Sequence, residues 1–99
     1  MATGATLISV DFEIFGRVQG VFFRRDTKRA ADKYKLVGWV KNTNSNTVLG
    51  HVEGPTEKIS QMKHWLSEVG SKRSVIKRAE FRNEKKIEEC TTKGFDIVD

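Results

Sequence analysis

Residues 16–25, GRVQGVFFRR, concentrate the chemistry of this chain. Gly16 and Gly20 stand four apart, Val18, Val21 and Phe22 supply apolar contacts, and Arg17, Arg24 and Arg25 supply positive charge. Glycine lets a backbone curl so that successive N–H groups point inward and form an anion nest. Where such a loop runs into a helix, the first helical turn adds unpaired N–H groups and a partial positive charge. A doubly charged phosphoryl group suits that geometry. Arg24 falls in the first turn, where its guanidinium could grip the same anion through two parallel hydrogen bonds. Glycine spacing alone equally suits a structural turn. The stretch is neither the GxxxxGK[ST] phosphate loop nor GxGxxG, because no Lys-Ser/Thr follows its glycines.

The other reactive side chains form no recognisable constellation. His51, His64 and Cys90 are scattered, without CxxC or HxxxH spacing, so no metal site is expected. His64 reads as a surface residue beside Trp65. Cys90 has Glu88 and Glu89 as neighbours, which oppose thiolate formation. The net charge is +5, and between Arg17 and Lys35 seven basic residues face two acidic ones. That field attracts anions: phosphorylated metabolites, nucleic acid or acidic proteins. A solvated helix face would carry the same charges.

The elements that must hold this loop follow from periodicity. Ile8, Val10, Phe12 and Ile14 alternate with Ser9, Asp11, Glu13 and Phe15, which predicts a strand with one buried face. From Phe22 to Leu36, Phe23, Thr27, Ala30, Ala31 and Tyr34 recur at helical spacing. Residues 37–43 and 47–53 read as a hairpin around the turn Thr43-Asn44-Ser45-Asn46. Gly54-Pro55 opens a second helix carrying Ile59, Met62, Trp65, Leu66 and Val69, and Gly70 closes it. Residues 74–82 form a weaker, charged strand candidate, residues 83–89 are ambiguous, and residues 95–98 suggest a short last strand. The predicted fold is α+β: a ferredoxin-like βαββαβ sandwich, two helices on one face of an antiparallel sheet, with a possible fifth strand at the C-terminus. That fold hosts many functions and decides none.

Two stretches resemble one family. GRVQGVFFR (16–24) is similar to the signature loop of the acylphosphatases, Gly-x-Val-Gln-Gly-Val-x-Phe/Tyr-Arg. GWVKNTNSNTVLGHVEG (38–54) is similar to that family's second signature, and the likeness extends over residues 7–98, most closely to the small eukaryotic members. The resemblance implies hydrolysis of a small-molecule acyl phosphate to a carboxylate and inorganic phosphate, without metal or cofactor. It implies that Arg24 binds the phosphoryl oxygens with the backbone amides of Gln19, Gly20, Val21, Phe22 and Phe23, and that Asn42 holds the attacking water. Without the motif, Asn42 reads as an ordinary strand-ending asparagine. Two positions depart from the family: Asn46 stands where glycine is usual at the hairpin tip, and Lys72 where proline is frequent. The first implies a small stability cost, the second a looser connection after the second helix.

A basic βαββαβ chain also fits the common RNA-recognition module, but the aromatic signature is missing and the third strand, TVLGHVE, offers no stacking platform. No nucleic-acid partner is therefore expected. A catalytically silent relative that binds phosphorylated or acidic partners is the other reading. At 99 residues the chain is expected to be one domain over 7–99 after a flexible tail, residues 1–6. It has no apolar run of the ~20 residues a membrane span needs. A single cysteine and a start unlike a secretion signal suggest the cytoplasm, and small size with high charge suggests a monomer.

Overall fold

The computed structural model describes residues 6–98; residues 1–5, most of the expected tail, lie outside the described residues, as does residue 99. The carbonyl of Thr6 accepts hydrogen bonds from both the backbone N–H and the hydroxyl of Thr56, each at 3.0 Å.

The chain forms β1 (Leu7–Arg17), α1 (Phe23–Lys33), β2 (Val37–Asn42), β3 (Val48–Pro55), α2 (Thr56–His64), a wider π-helical turn (Trp65–Val69), β4 (Val75–Ile87) and β5 (Phe95–Ile97). The sheet order is β4-β1-β3-β2-β5. The first four strands pair antiparallel, as expected; β5 adds to the free edge of β2 in parallel, so the sheet is mixed. The alternation in β1 puts Ile8, Val10, Phe12 and Ile14 on the buried face. Val40, Val48 and Val52 extend that face across β2 and β3, and Phe23, Ala31, Ile59, Met62 and Leu66 cover it from the helices. Trp65 packs on the core edge, its ring 5.5 Å from that of Phe23.

Three boundaries differ from expectation. Helix α1 begins at Phe23, because Phe22 adopts a left-handed conformation (φ 62°) and stands outside the helix. Lys35 (φ 59°) ends the same helix: its N–H bonds to Asp32 and that of Leu36 to Ala31, which satisfies two terminal carbonyls. Pro55 completes β3 and caps α2 rather than sitting in its first turn. The ambiguous segment after Arg82 continues as strand to Ile87. As an edge strand facing water it lacks the apolar alternation that would announce it, and its register is interrupted near Asn83 (φ 57°). The missing proline at Lys72 leaves no open connection, since Ser74 donates from both N–H and hydroxyl to the Ser71 carbonyl.

Candidate active site

The two glycines of the loop do different work. A Cβ on Gly16 (φ 131°) would lie 2.1 Å from the Val75 carbonyl oxygen, so this glycine serves the β1–β4 contact at a register shift. A Cβ on Gly20 would meet nothing within 4 Å; what Gly20 supplies is its left-handed φ of 75°. With Phe22 also left-handed, the chain turns sharply between β1 and α1. Val18 and Val21 are buried and pin the loop from below. Phe22 does not join them in shielding the loop, contrary to the apolar pattern, and is 62% exposed.

Helix α1 starts on this loop with no side-chain cap, so its first turn offers backbone N–H groups by helix geometry. Arg24 lies in that turn, half-buried, as predicted from sequence. A cavity of about 290 Å³ opens there, lined by Val18, Gly20, Phe22, Phe23, Arg24, Arg25 and Ile97. Arg25 is exposed, but its guanidinium stacks 4.3 Å from the centre of the Phe22 ring, and its Nε donates to Asp26 at 3.1 Å.

Asn42 is the last residue of β2 and does not line this cavity, but the structure brings its strand end to the loop. Gln19 makes the join. Its Nε2 donates to the carbonyls of Thr43 (2.9 Å) and Thr47 (2.8 Å), the two residues that close the β2–β3 turn. Thr43 and Thr47 share a hydroxyl–hydroxyl hydrogen bond of 2.6 Å, and Thr47 passes on to Glu13 at 2.7 Å. Glu13 in turn accepts from Arg82 at 3.0 Å. Sequence reasoning assigned Gln19 only a backbone amide and missed Thr43, Thr47 and Glu13 altogether. Alternation puts Glu13 on the open face of β1, but its partner 34 residues away could not be read. Asn42 Oδ1 is buried and, among the described residues, has no hydrogen-bond partner. An amide oxygen in this state departs from the usual pairing of buried polar groups. The tip residue Asn46 takes the left-handed conformation that glycine would take there (φ 65°).

The remaining reactive groups lie elsewhere. His64 is exposed. Partial burial, and then the charge of Glu53, raise the Cys90 thiol above its ordinary 9.0; the opposing carboxylate is thus Glu53 rather than its chain neighbours. His51 sits on the open face of the sheet between Asp11 (2.6 Å) and Glu53 (2.7 Å). Among the described residues, no group of three or more His, Cys, Asp or Glu is arranged to hold a metal ion, and no helix is long and apolar enough to cross a membrane.

Loop, uncapped helix start and amide-bearing strand end make up the candidate site of a small α+β protein, at the edge of its sheet. Comparison with known proteins sharpens this class. The acylphosphatase family model matches residues 10–97. Acylphosphatase-2 of Bos taurus is 55% identical over 97 residues, covering 98% of each chain. Acylphosphatase-1 of Homo sapiens is 52% identical over 98 residues, covering 99% of each. The crystal structure of acylphosphatase from Bacillus subtilis superposes with a TM-score of 0.85 at 33% identity, over 93% of this chain and 99% of that one. The chain belongs to the acylphosphatase family.

Proposed function

We propose that this chain hydrolyses the carboxyl–phosphate anhydride of acyl phosphates, releasing a carboxylate and inorganic phosphate. The observation that carries the reading is the pair of hydrogen bonds from Gln19 Nε2 to the Thr43 and Thr47 carbonyls, which ties the strand end bearing Asn42 to an uncapped, arginine-bearing helix start. The amides from Gln19 to Phe23 and the guanidinium of Arg24 hold the phosphoryl oxygens and offset the charge that develops on them. The side-chain amide of Asn42 orients the attacking water through hydrogen bonds and aims its lone pair at phosphorus. The water oxygen–phosphorus bond forms as the bond to the acyl oxygen breaks, and the electron pair leaves on the carboxylate. The water's proton passes to phosphate oxygen or solvent. A carboxylate, with a reference pKa of about 4, departs without a proton donor, so positioning and charge compensation suffice. Arg24 and the amides supply that compensation, so the reaction is written without metal or cofactor. The single exposed thiol suits a monomer in the reducing cytoplasm.

The test is phosphate release from a simple acyl phosphate in excess chelator. Turnover that survives the chelator is expected. No turnover by the wild-type chain contradicts the activity, and loss restored only by added metal contradicts the mechanism.

A further inference from the structure

Phe22 poses a problem that phosphate binding does not solve. The loop needs a left-handed backbone at this position, and asparagine or glycine would adopt it more cheaply. The chain places a phenylalanine there, and the strain is not repaid by burial, because the residue is 62% exposed. A strained backbone under a large exposed apolar side chain, beside a binding cavity, points to a ligand contact. The ring is held rather than loose: Arg25 stacks on it, and Asp26 holds Arg25. Ile97 of β5, also exposed (42%), lines the same cavity, while the other apolar lining residues, Val18 and Phe23, are buried in its floor. Phe22 and Ile97 are therefore the apolar surface that a ligand anchored at Arg24 meets on its way out.

Resting on the activity proposed above, we infer that Phe22 and Ile97 form the surface that takes the acyl half of the substrate. Phosphoryl binding at the loop fixes one end of the molecule. The carbonyl carbon and its substituent must then project from the cavity past this rim. A flat or branched apolar acyl group removes rim surface from water, whereas an acetyl group is too small to cover it. The chain is accordingly selective for bulky apolar acyl phosphates, and the selectivity resides in side chains while the phosphoryl grip resides in the backbone and Arg24.

The experiment compares kcat/KM for benzoyl phosphate and acetyl phosphate, each in wild-type, Phe22→Asn and Ile97→Ala protein. Asparagine tolerates the left-handed backbone, so Phe22→Asn removes the ring while preserving the turn. The benzoyl-to-acetyl ratio is expected to exceed 1 in wild type and to fall about tenfold in Phe22→Asn and about threefold in Ile97→Ala, mainly through KM for the aromatic substrate. A ratio unchanged in Phe22→Asn overturns the inference, including the case in which both rates fall together because the ring only shapes the loop. A dimer of the wild type that dissociates in Phe22→Asn, with the ratio unchanged, would assign the rim to a second copy instead. If wild type turns over neither substrate, the activity itself is wrong, and that outcome is distinct from a lost ratio.

Discussion

The loop end of the sheet and its open face are organised by opposite means. At the loop end the polar groups of the proposed site are backbone N–H groups, one amide and one arginine. On the open face the polar groups are titratable and already paired with one another. Asp11, His51 and Glu53 stand in line, and both ring nitrogens of His51 lie within hydrogen-bond distance of a carboxylate oxygen. A neutral imidazole carries only one N–H, so this geometry calls for the doubly protonated ring. Glu53 is almost fully buried and also accepts the N–H and hydroxyl of Thr91, each at 2.6 Å. Asp11 also accepts from Asn83 at 2.8 Å. This cluster fastens the crossover from β4 to β5 onto the sheet. Pre-formed charge pairs give stability that depends on pH, whereas backbone N–H dipoles carry no titrating proton.

The largest expected effect lies at the loop. Arg24→Ala should lower kcat/KM by about 10³ and weaken competitive inhibition by phosphate as well, because one group serves ground state and transition state. Gln19→Ala comes next. It cuts the tie between loop and hairpin, so activity should fall about ten- to a hundredfold, with about 1 kcal/mol of stability lost in urea unfolding. Unchanged activity would show that the loop and the Asn42 strand end hold their places independently.

On the open face, Glu53→Ala should leave the chemistry intact but cost about 2–3 kcal/mol, since it strands His51 and the Thr91 donors. The pH dependence has a definite sign. Burial pushes the His51 pKa down, but hydrogen bonds to Glu53 and Asp11 outweigh it and raise the value above its ordinary 6.5. Burial likewise opposes, and hydrogen bonds from Asn83 and His51 to Asp11 and from His51 and Thr91 to Glu53 overcome, so both carboxyls fall below their ordinary 3.8 and 4.5. The His51 contribution is full below its unfolded pKa and is lost as pH rises through the raised folded value. The carboxylate contributions are full above their unfolded pKa values and are lost as pH falls through the lowered ones. Stability from this cluster should therefore peak between about pH 5 and 6.5 and decline on the alkaline side. His51→Gln should flatten that alkaline decline in denaturant titrations at several pH values, without shifting the pH profile of kcat. The smallest effect belongs to the hairpin tip: Asn46→Gly should raise stability by less than about 1 kcal/mol and leave activity unaltered.

Much of the frame could be read before any coordinates. The alternation in β1 and the helical spacing of Phe23, Thr27, Ala30 and Ala31 needed only local periodicity, and the structure buries those residues. Residues 83–87 could not be read, because an edge strand wet on both faces has no apolar pattern. The boundary at Phe22 was hidden because an exposed phenylalanine in a left-handed turn looks like the first apolar residue of a helix. The signature loop singled out Arg24 as a candidate, and the second signature singled out Asn42. The side-chain bonds of Gln19 were not legible, since they reach across 24 and 28 residues. The His51–Glu53 pair went unread, although residues two apart on one strand share a face; Asp11 opposite them depended on the β1–β3 register.

Asn42→Ala, followed by both phosphate binding and single-turnover hydrolysis, divides the two halves of the site most directly. If Asn42 aims the water while Arg24 and the loop hold the phosphoryl group, the variant binds inorganic phosphate within about twofold of wild type and hydrolyses acyl phosphate at least about a hundredfold more slowly. If phosphate affinity falls in step with the rate, Asn42 belongs to the anion cradle and the assignment of the water to its amide is wrong.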